Sequence, residues 1–199
     1  MPGVRFIPAF TTAMCIWLRP ASRPSAASCI HLTFPHPEQI KRIAAFKGKV
    51  VATVEPGFWQ AEAGLERYYG EANKTSYPIK DLFEAGVTTG FSTDFFVSPL
   101  ELAPPTTIMH IAMAGGGVAR RALTMEDILL GFTQGSAATT GKSDVGTLYP
   151  GMKADMVVHE RDLYDVQPSE FAAGNPKVLA TWLSGRKAFD AAAAGKLPG

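Results

Sequence analysis

The sequence predicts an α/β fold in which parallel strands alternate with helices, followed by a small antiparallel β-subdomain. Three apolar or β-branched runs, each followed by an amphipathic helical pattern, predict the first part. Such alternation implies strand–helix–strand crossovers and therefore parallel strands. From about residue 142 onward, short strands separated by Gly and Pro replace this alternation, which is typical of an antiparallel sheet with tight turns.

The first strand–helix unit is predicted to begin at Cys29. The segment Cys29–Phe34 has the pattern of a short buried strand, and His36 and Pro37 follow it. Proline favours the first helical position because its missing N–H would be unpaired there in any case. Ile40 and Ile43 then share one face of the predicted helix.

The second unit combines the β-branched strand Val50–Val54 with a helix that Ser76 is expected to cap. A polar stretch separates the two elements. Pro78 stands in the first turn of this helix, and Gly86 is expected to end it.

The third unit begins with the predicted strand Val87–Thr93, which ends at Asp94. A loop rich in Pro and Gly is expected from Ser98 to Gly117. Thr124, with Asp127 three residues later, predicts a capping box and therefore the start of a third helix.

The remainder predicts strands at Ala154–His159 and Val178–Leu183, with a turn at Ser184 and Gly185 leading into a last strand, Arg186–Phe189. The predicted organisation is an unassigned segment over 1–29, the α/β part over 30–141, the β-subdomain over 142–190 and a tail over 191–199.

Residues 1–29 differ in composition from the rest of the chain. They contain Arg5, Arg19 and Arg23 but no acidic residue, as a targeting peptide would. Three alternatives stay open: a misplaced start joined to a real domain, a targeting peptide, or a genuine structural arm. We expect a cytoplasmic protein, because Cys15 and Cys29 form no disulfide framework; a targeting peptide would instead send the chain to an organelle or export it.

Composition excludes several classes of function. The chain has 199 residues and a formal net charge of +1, so it lacks the basic surface expected of a nucleic-acid binder or a polybasic membrane protein. The sequence contains no run of about 18 apolar residues, so it predicts no transmembrane helix. Since a complete eight-stranded α/β barrel takes about 250 residues, the chain could hold only part of one.

Two residues at predicted strand ends could take part in chemistry. His31 lies in the first strand and Asp94 terminates the third, and an imidazole nitrogen and a carboxylate oxygen both suit Zn²⁺. The alternatives are a core histidine and an aspartate that caps a turn. Glu55, the one charged residue at the end of an apolar strand, fits either a pocket or an edge salt bridge. His110 is expected to lie in a loop or to support a site without contacting its ligand, and His159 is expected to lie at the surface.

Specific sequence motifs favour a role in chemistry for His31 and Asp94. They are His31-Leu-Thr-Phe, Val54-Glu-Pro-Gly-Phe-Trp59, Ser92-Thr-Asp-Phe-Phe-Val-Ser-Pro99 and Gly146-Thr-Leu-Tyr-Pro-Gly-Met-Lys-Ala-Asp-Met-Val-Val158. In order and spacing they resemble amidohydrolase family 3, the branch that includes proteins similar to N-substituted formamide deformylases. The resemblance covers about residues 31–190 and corresponds to the C-terminal part of a longer family member.

The resemblance implies a fold and a metal site. The fold would be the C-terminal part of a (β/α)₈ TIM-type barrel with a small β-subdomain at the C-terminus. His31 matches a metal-binding histidine, although Ile30 stands where the family has an acidic residue. Asp94 matches the aspartate that both binds the metal and accepts a proton from water. The family's other metal ligands have no counterpart in the motifs above, so we expect a divalent metal, zinc first, to be held weakly.

The function implied is metal-dependent hydrolysis of a non-peptide carbon–nitrogen bond in a small-molecule amide or formamide. The alternative is a catalytically inactive fragment that acts through association with another chain. In either case we expect no nucleic acid and no membrane as partner. A homo-oligomer could form through the exposed edge of the partial barrel.

Overall fold

The structure is a computed structural model that describes residues 6–8, 27–61, 66–95, 100–102, 104–115 and 120–193. Most of the unassigned segment 1–29 therefore lies outside the described residues. The same holds for parts of the predicted loop between residues 98 and 117 and for residues 194–199 of the tail.

The strands of the described residues belong to two sheets. They are β1 (Phe6–Pro8), β2 (Ala27–Ile30), β3 (Val50–Val54), β4 (Thr89–Phe91), β5 (Met156–His159), β6 (Val178–Leu183) and β7 (Arg186–Asp190). One sheet has the order β2-β3-β4 and is parallel, whereas the other has the order β1-β5-β6-β7 and is antiparallel. The parallel strands lie within residues 27–91, and the antiparallel sheet combines β1, from the segment 1–29, with three strands of the predicted β-subdomain.

Helices connect the parallel strands and follow them. They are α1 (Pro37–Ala45), α2 (Phe58–Ala61), α3 (Glu66–Tyr69), α4 (Ile79–Glu84), α5 (Pro105–Ala114), α6 (Met125–Leu130), α7 (Ser136–Thr139) and α8 (Pro168–Ala172). Shorter helical turns lie at Gly70–Thr75, Leu100–Leu102 and Leu163–Asp165, and a π-helical turn at Gly131–Gly135 joins α6 to α7. None of the described helices is both long and apolar enough to cross a membrane.

The first unit forms as predicted except for its strand, which begins two residues earlier than the predicted Cys29 and is shorter. β2 ends at Ile30, because His31 and Leu32 have φ angles of 69° and 41°, which place them in the left-handed region rather than in extended backbone. Helix α1 begins after His36, whose side chain accepts a hydrogen bond from the Glu38 amide at 3.4 Å.

In the second unit, β3 has the predicted bounds, but the expected cap at Ser76 is wrong. Helix α4 begins after Pro78 without a side-chain cap. The hydroxyl of Ser76 instead accepts a hydrogen bond from Nε of buried Arg120 at 3.1 Å, and Nη1 of Arg120 donates to the Trp59 carbonyl at 3.2 Å. Arg120 thus ties together two segments that follow β3, and this long-range contact replaces the local cap.

The third unit contains a helix that the sequence did not predict. The loop expected from Ser98 to Gly117 includes α5, which starts at Pro105. Proline is tolerated at this first helical position because an N–H there would have no partner within the helix. Ile108 and Met109 of α5 are almost completely buried, and their burial stabilises a segment whose prolines and glycines suggested a loop. The strand expected at Val87–Thr93 is also shorter, since β4 covers only its middle.

The capping box that opens α6 is confirmed. The Asp127 amide donates to Oγ1 of Thr124 at 3.2 Å, and the Thr124 amide donates to Oδ2 of Asp127 at 2.9 Å. Asp127 also pairs with Lys80 of α4 at 2.6 Å, so the start of α6 is bound to the preceding helix.

The antiparallel sheet matches its prediction with small shifts at the strand ends. β5 begins two residues later than predicted, and β7 extends one residue further, to Asp190. The backbone amide of Ser184, in the β6–β7 turn, donates to Oδ1 of Asp155 at 2.6 Å. Leu163 and Phe171, which follow β5, belong to the same apolar cluster as α5, so this part of the chain packs on the α/β part.

Glycines allow the helical segment after α6 to approach β4 closely. A Cβ added to Gly135 would lie 1.9 Å from the Thr89 carbonyl oxygen, and one added to Gly90 would lie 2.7 Å from Gly135 backbone atoms. Nearby, the Ser136 hydroxyl donates to the Phe91 carbonyl at 3.0 Å. Backbone therefore packs directly on backbone, which holds β4 and the residues beyond it in place.

This close approach predicts that Gly135→Ala destabilises the fold strongly, because the added methyl group meets backbone that cannot rotate away. We expect a loss at or beyond the upper end of the roughly 1–3 kcal/mol that overpacking costs. A loss of 3 kcal/mol corresponds to a melting temperature about 6–12 °C lower in a chain of this size. Gly57→Ala is the matched control, since its Cβ would lie 3.7 Å from the nearest atom. Equal melting temperatures for the two variants would contradict the close packing.

Candidate functional site

Three chemically reactive side chains follow the three parallel strands at one edge of the sheet. His31 comes directly after β2, Glu55 directly after β3, and Asp94 three residues after β4. In the ladder, Ile30 lies opposite Thr53, and Val54 lies opposite Phe91. The carboxyl ends of parallel strands are where α/β proteins place their sites, so the structure brings the two predicted residues to the same edge and adds Glu55.

Both the backbone and the ring of His31 are restrained. Its amide donates to the Thr53 carbonyl at 2.9 Å, in continuation of the ladder. The ring stacks on Phe58 with centroids 5.9 Å apart and an interplanar angle of 17°. Nδ1 lies 3.0 Å from Oε2 of Glu55, while 44% of the side chain remains exposed. His31 is therefore a fixed ring at an open surface, not the core histidine of the alternative interpretation.

Glu55 is a buried carboxyl group at the end of the central strand. Its side chain is 1% exposed, and its Oε1 atom is buried without a hydrogen-bond partner among the described residues. Burial raises the pKa of Glu55 to about 8, and the nearby charge of Asp94 adds to the increase. Glu55 and Asp94 follow the neighbouring strands β3 and β4 at the same edge of the sheet.

Sequence reasoning left Glu55 open between a pocket and an edge salt bridge. The sequence feature that pointed to Glu55 is its position, because it is the single charged residue at the end of an apolar strand. Only the fold shows that its carboxyl group points to His31.

The carboxylate of Asp94 is not used as a cap. The Asp94 amide donates to Oγ of Ser92 at 3.2 Å, and the Phe95 amide donates to Oγ1 of Thr93 at 3.3 Å. Within the described part of the chain, no residue donates a hydrogen bond to the Asp94 carboxylate. Its φ of 47° lies in the left-handed region, which is uncommon outside glycine but enriched in Asp and Asn. Two hydroxyl groups thus stabilise the turn and leave the carboxylate available.

Aromatic side chains and an open cavity surround His31. Phe58 also contacts Tyr77 edge to face, with centroids 6.0 Å apart, and Phe34 contacts Tyr69 in the same way at 5.1 Å. On the side of His31 that faces α1, a cavity of about 540 Å³ is lined by residues that include Phe34 and Arg42. A small molecule near His31 would therefore meet both aromatic and polar side chains.

His110 and His159 lie on other elements, in α5 and β5. His110 is in α5 rather than in a loop, and its Nδ1 lies 2.8 Å from the Pro168 carbonyl oxygen, to which it donates. His159 is in β5 and only 3% exposed, so the expected surface position is wrong. Burial lowers the pKa of His159, which favours a neutral ring in the sheet.

The described residues do not form a complete metal site. The implied metal would need three or four protein ligands if it were zinc. No group of three or more His, Cys, Asp and Glu side chains that could hold a metal occurs among the described residues. His31 and Asp94 have suitable ligand atoms, but any further ligands would have to come from outside these residues.

Comparison with known proteins identifies relatives of this chain. Residues 3–189 match the sequence profile of the amidohydrolase family. The chain is 29% identical over 167 residues to the imidazolonepropionase of Streptomyces griseus, a match that covers 82% of this chain and 36% of the relative. It is 32% identical to the imidazolonepropionase of Cutibacterium acnes, covering 66% of this chain and 29% of the relative. The chain thus spans about a third of these relatives, and their name does not support the formamide deformylase subtype.

Solved structures give the same picture of the fold. A metal-dependent hydrolase of uncharacterised function from Pyrococcus horikoshii OT3 is 28% identical and superposes with a TM-score of 0.63, over 73% of this chain and 31% of that protein. Atrazine chlorohydrolase from Arthrobacter aurescens TC1, complexed with zinc, is 20% identical with a TM-score of 0.55, over 84% and 37%. The chain has the fold of the C-terminal part of a TIM-type barrel with a small β-subdomain.

The raised pKa of Glu55 predicts a pH-dependent stability. Between its ordinary value of 4.5 and about 8, the folded state keeps a proton that the unfolded state releases, so the free energy of unfolding falls as pH rises. The slope approaches about 1.4 kcal/mol per pH unit for one proton. We expect wild type to lose stability relative to Glu55→Gln over this range, with His31 and Asp94 present in both.

Denaturant unfolding at several pH values, without added metal, checks this prediction. The exposed Glu126→Gln variant is the control and should follow wild type. A difference between wild type and Glu55→Gln that stays constant from pH 5 to pH 8 would contradict a raised pKa for the buried Glu55 carboxyl group.

The incomplete ligand set predicts weak zinc binding. After loading with zinc and dialysis against a chelator, the purified chain should retain far less than one zinc per molecule, because two protein ligands hold zinc poorly. Elemental analysis of the dialysed protein measures this. One zinc per chain after dialysis would show that ligands beyond His31 and Asp94 have been overlooked.

Proposed function

The chain belongs to the amidohydrolase family, and we propose that it forms the part of a hydrolase site that cleaves non-peptide carbon–nitrogen bonds in small molecules. The observation that supports this most is the state of Asp94. Its turn is stabilised by the hydroxyl groups of Ser92 and Thr93, so its carboxylate has no structural task among the described residues. A carboxylate that is available at the carboxyl edge of a parallel sheet is suited to proton transfer.

In the proposed reaction, Asp94 acts as the general base. Its carboxylate accepts a proton from a water molecule as the water oxygen bonds to the carbonyl carbon of the substrate. The carbon–nitrogen bond then breaks, and the proton passes to the leaving nitrogen. A general base of this kind typically contributes about 10²- to 10⁴-fold to the rate.

His31 is proposed to act beside Asp94 through its exposed ring edge. Because Nδ1 is engaged by Glu55, Nε2 is the nitrogen available to a substrate carbonyl oxygen or to a metal. We include a divalent metal, with zinc as the first candidate, in the proposal because the structural neighbours include a metal-dependent hydrolase. The described residues do not complete its site, and the proton transfers above use only side chains of this chain.

The proposed substrates are small amides and formamides, extended to nitrogen heterocycles. The curated relatives are named for an imidazolone, and a structural neighbour is a triazine hydrolase variant. Flat rings of this kind also suit the aromatic surface that Phe34 and Phe58 provide near His31.

A second candidate function is that of an inactive fragment that associates with another chain. In the described residues, β2 pairs with β3 on one side and with no strand on the other. An unpaired strand edge is a template for pairing with another chain, and the chain spans only about a third of its curated relatives. Either a second copy or a different protein could pair there.

The catalytic proposal predicts that Asp94→Asn lowers kcat by about 10²- to 10⁴-fold without loss of stability. Asparagine keeps the shape and tolerates the left-handed backbone at this position, but it cannot accept the proton. Turnover of amides, formamides, imidazolones and triazines, with zinc supplied, is measured together with the melting temperature. Asp144→Asn is the control, because it removes only an exposed ion pair with Lys153.

Two results would contradict this assignment. Near-normal turnover with a lowered melting temperature would mean that Asp94 serves the fold only. A wild-type chain without activity towards any of these substrates would favour the inactive fragment.

The fragment alternative predicts self-association through the unpaired strand edge. Light scattering over a range of concentrations should then show a mass above that of the 21.3 kDa chain. A monodisperse monomer at high concentration would contradict pairing between copies.

A further inference from the structure

We infer that Glu55 is a positioning residue, which fixes the His31 imidazole so that Nε2 alone faces the site. The purpose of this arrangement rests on the proposed function, since it prepares His31 to meet a substrate or a metal. The geometric part of the inference is independent of it.

Three contacts restrain the His31 ring, and each restricts a different movement of it. The His31 amide is bound to the Thr53 carbonyl at 2.9 Å, which fixes the backbone from which the ring extends. Phe58 stacks on the ring at an interplanar angle of 17°, which fixes its plane. Stacking alone still allows a 180° flip of the ring within this plane. The contact of 3.0 Å between Nδ1 and Oε2 of Glu55 selects one of these two orientations.

The unequal burial of the pair shows which partner holds the other. Glu55 is 1% exposed, and its neighbours Val54 and Pro56 are also almost completely buried at the end of β3. The His31 side chain is 44% exposed. A rigid carboxyl group in the core therefore holds a ring that could otherwise reorient in solvent.

Stability alone does not explain a glutamate at this position. A buried carboxyl group is costly to keep charged, and a buried polar atom without a partner adds to the cost; Oε1 is such an atom among the described residues. An apolar side chain of similar size would fill the space without this penalty. The benefit of Glu55 therefore lies in what Oε2 does for His31.

Orientation of a histidine by a carboxylate on its other ring nitrogen is a general way to prepare it for binding. Histidines that bind metals commonly donate their remaining N–H to a carboxylate or carbonyl, which fixes both the tautomer and the direction of the free nitrogen. In His31 the free nitrogen is Nε2. Asp94, the other available group, follows the neighbouring strand β4 at the same edge of the sheet.

Long-range ¹H–¹⁵N NMR of the full chain, labelled with ¹⁵N-histidine, tests the inference without any assay of activity. At about pH 7.5, above the ordinary histidine pKa, a ring held in one tautomer gives two well-separated nitrogen shifts. His110 is the internal reference for such a ring, because its Nδ1 donates to a carbonyl. The His31 signals are assigned by their loss in His31→Asn.

We expect two well-separated nitrogen shifts for the His31 ring in wild type. In Glu55→Leu they should move towards the averaged values of free histidine, while the His110 signals stay unchanged and report an intact fold. Glu55→Gln, whose amide can occupy the same place, should keep the shifts separated. Glu126→Leu, which changes an exposed glutamate, is the control and should resemble wild type.

Averaged shifts for His31 in wild type would overturn the inference without the need for any variant. Separated shifts that persist in Glu55→Leu would overturn it as well. These outcomes are distinct from failure of the proposed function, because Asp94→Asn could leave turnover unchanged while Glu55 still orients His31.

Discussion

The register of the three parallel strands is the constraint on which the rest of the site depends. Ladder hydrogen bonds place the ends of β2, β3 and β4 at one edge. This register also determines where the side chains that follow the strands lie. The ladder in turn depends on the packing of Gly135 against β4. A side chain at Gly135 would push β4 away, and Asp94 would move with it.

At this edge the fold sets a buried acid between an exposed histidine and a free carboxylate. Burial keeps Glu55 rigid, and Ser92 and Thr93 take over the local hydrogen bonds that would otherwise occupy Asp94. In our proposal each polar side chain of this site has a separate role: Glu55 orients His31, His31 presents a ring nitrogen, and Asp94 accepts a proton. The site is partial, as expected for a chain that covers about a third of its curated relatives.

The elements that could be predicted from the sequence are those that depend on neighbouring residues. The β-branched run of β3 and the capping box at Thr124 are local signals, and both were predicted correctly. Helix α5 was missed because its stability comes from burial of Ile108 and Met109 against distant residues. The true partner of Ser76, Arg120, is 44 residues away, beyond the reach of any local pattern.

The residues of the candidate site also differ in whether neighbouring residues were enough to predict them. Periodicity predicted that Asp94 follows a strand but placed His31 inside one, and only the family resemblance implied a strand end for His31. The contact between Glu55 and His31 spans 24 residues and required the fold. Residues such as His159 were misplaced because a polar side chain in a short strand can face either solvent or the core, and only the packing of the sheet decides which.

The central claim, that the ends of β3 and β4 form one site, is tested most directly by the titration of Glu55 itself. Carboxyl ¹³C NMR can follow this group in wild type and in Asp94→Asn. The structure predicts a wild-type pKa of about 8 and a lower pKa in the variant, because the removal of a nearby negative charge favours ionisation of Glu55. A wild-type pKa near the ordinary 4.5, or one that is identical in both proteins, would contradict the claim.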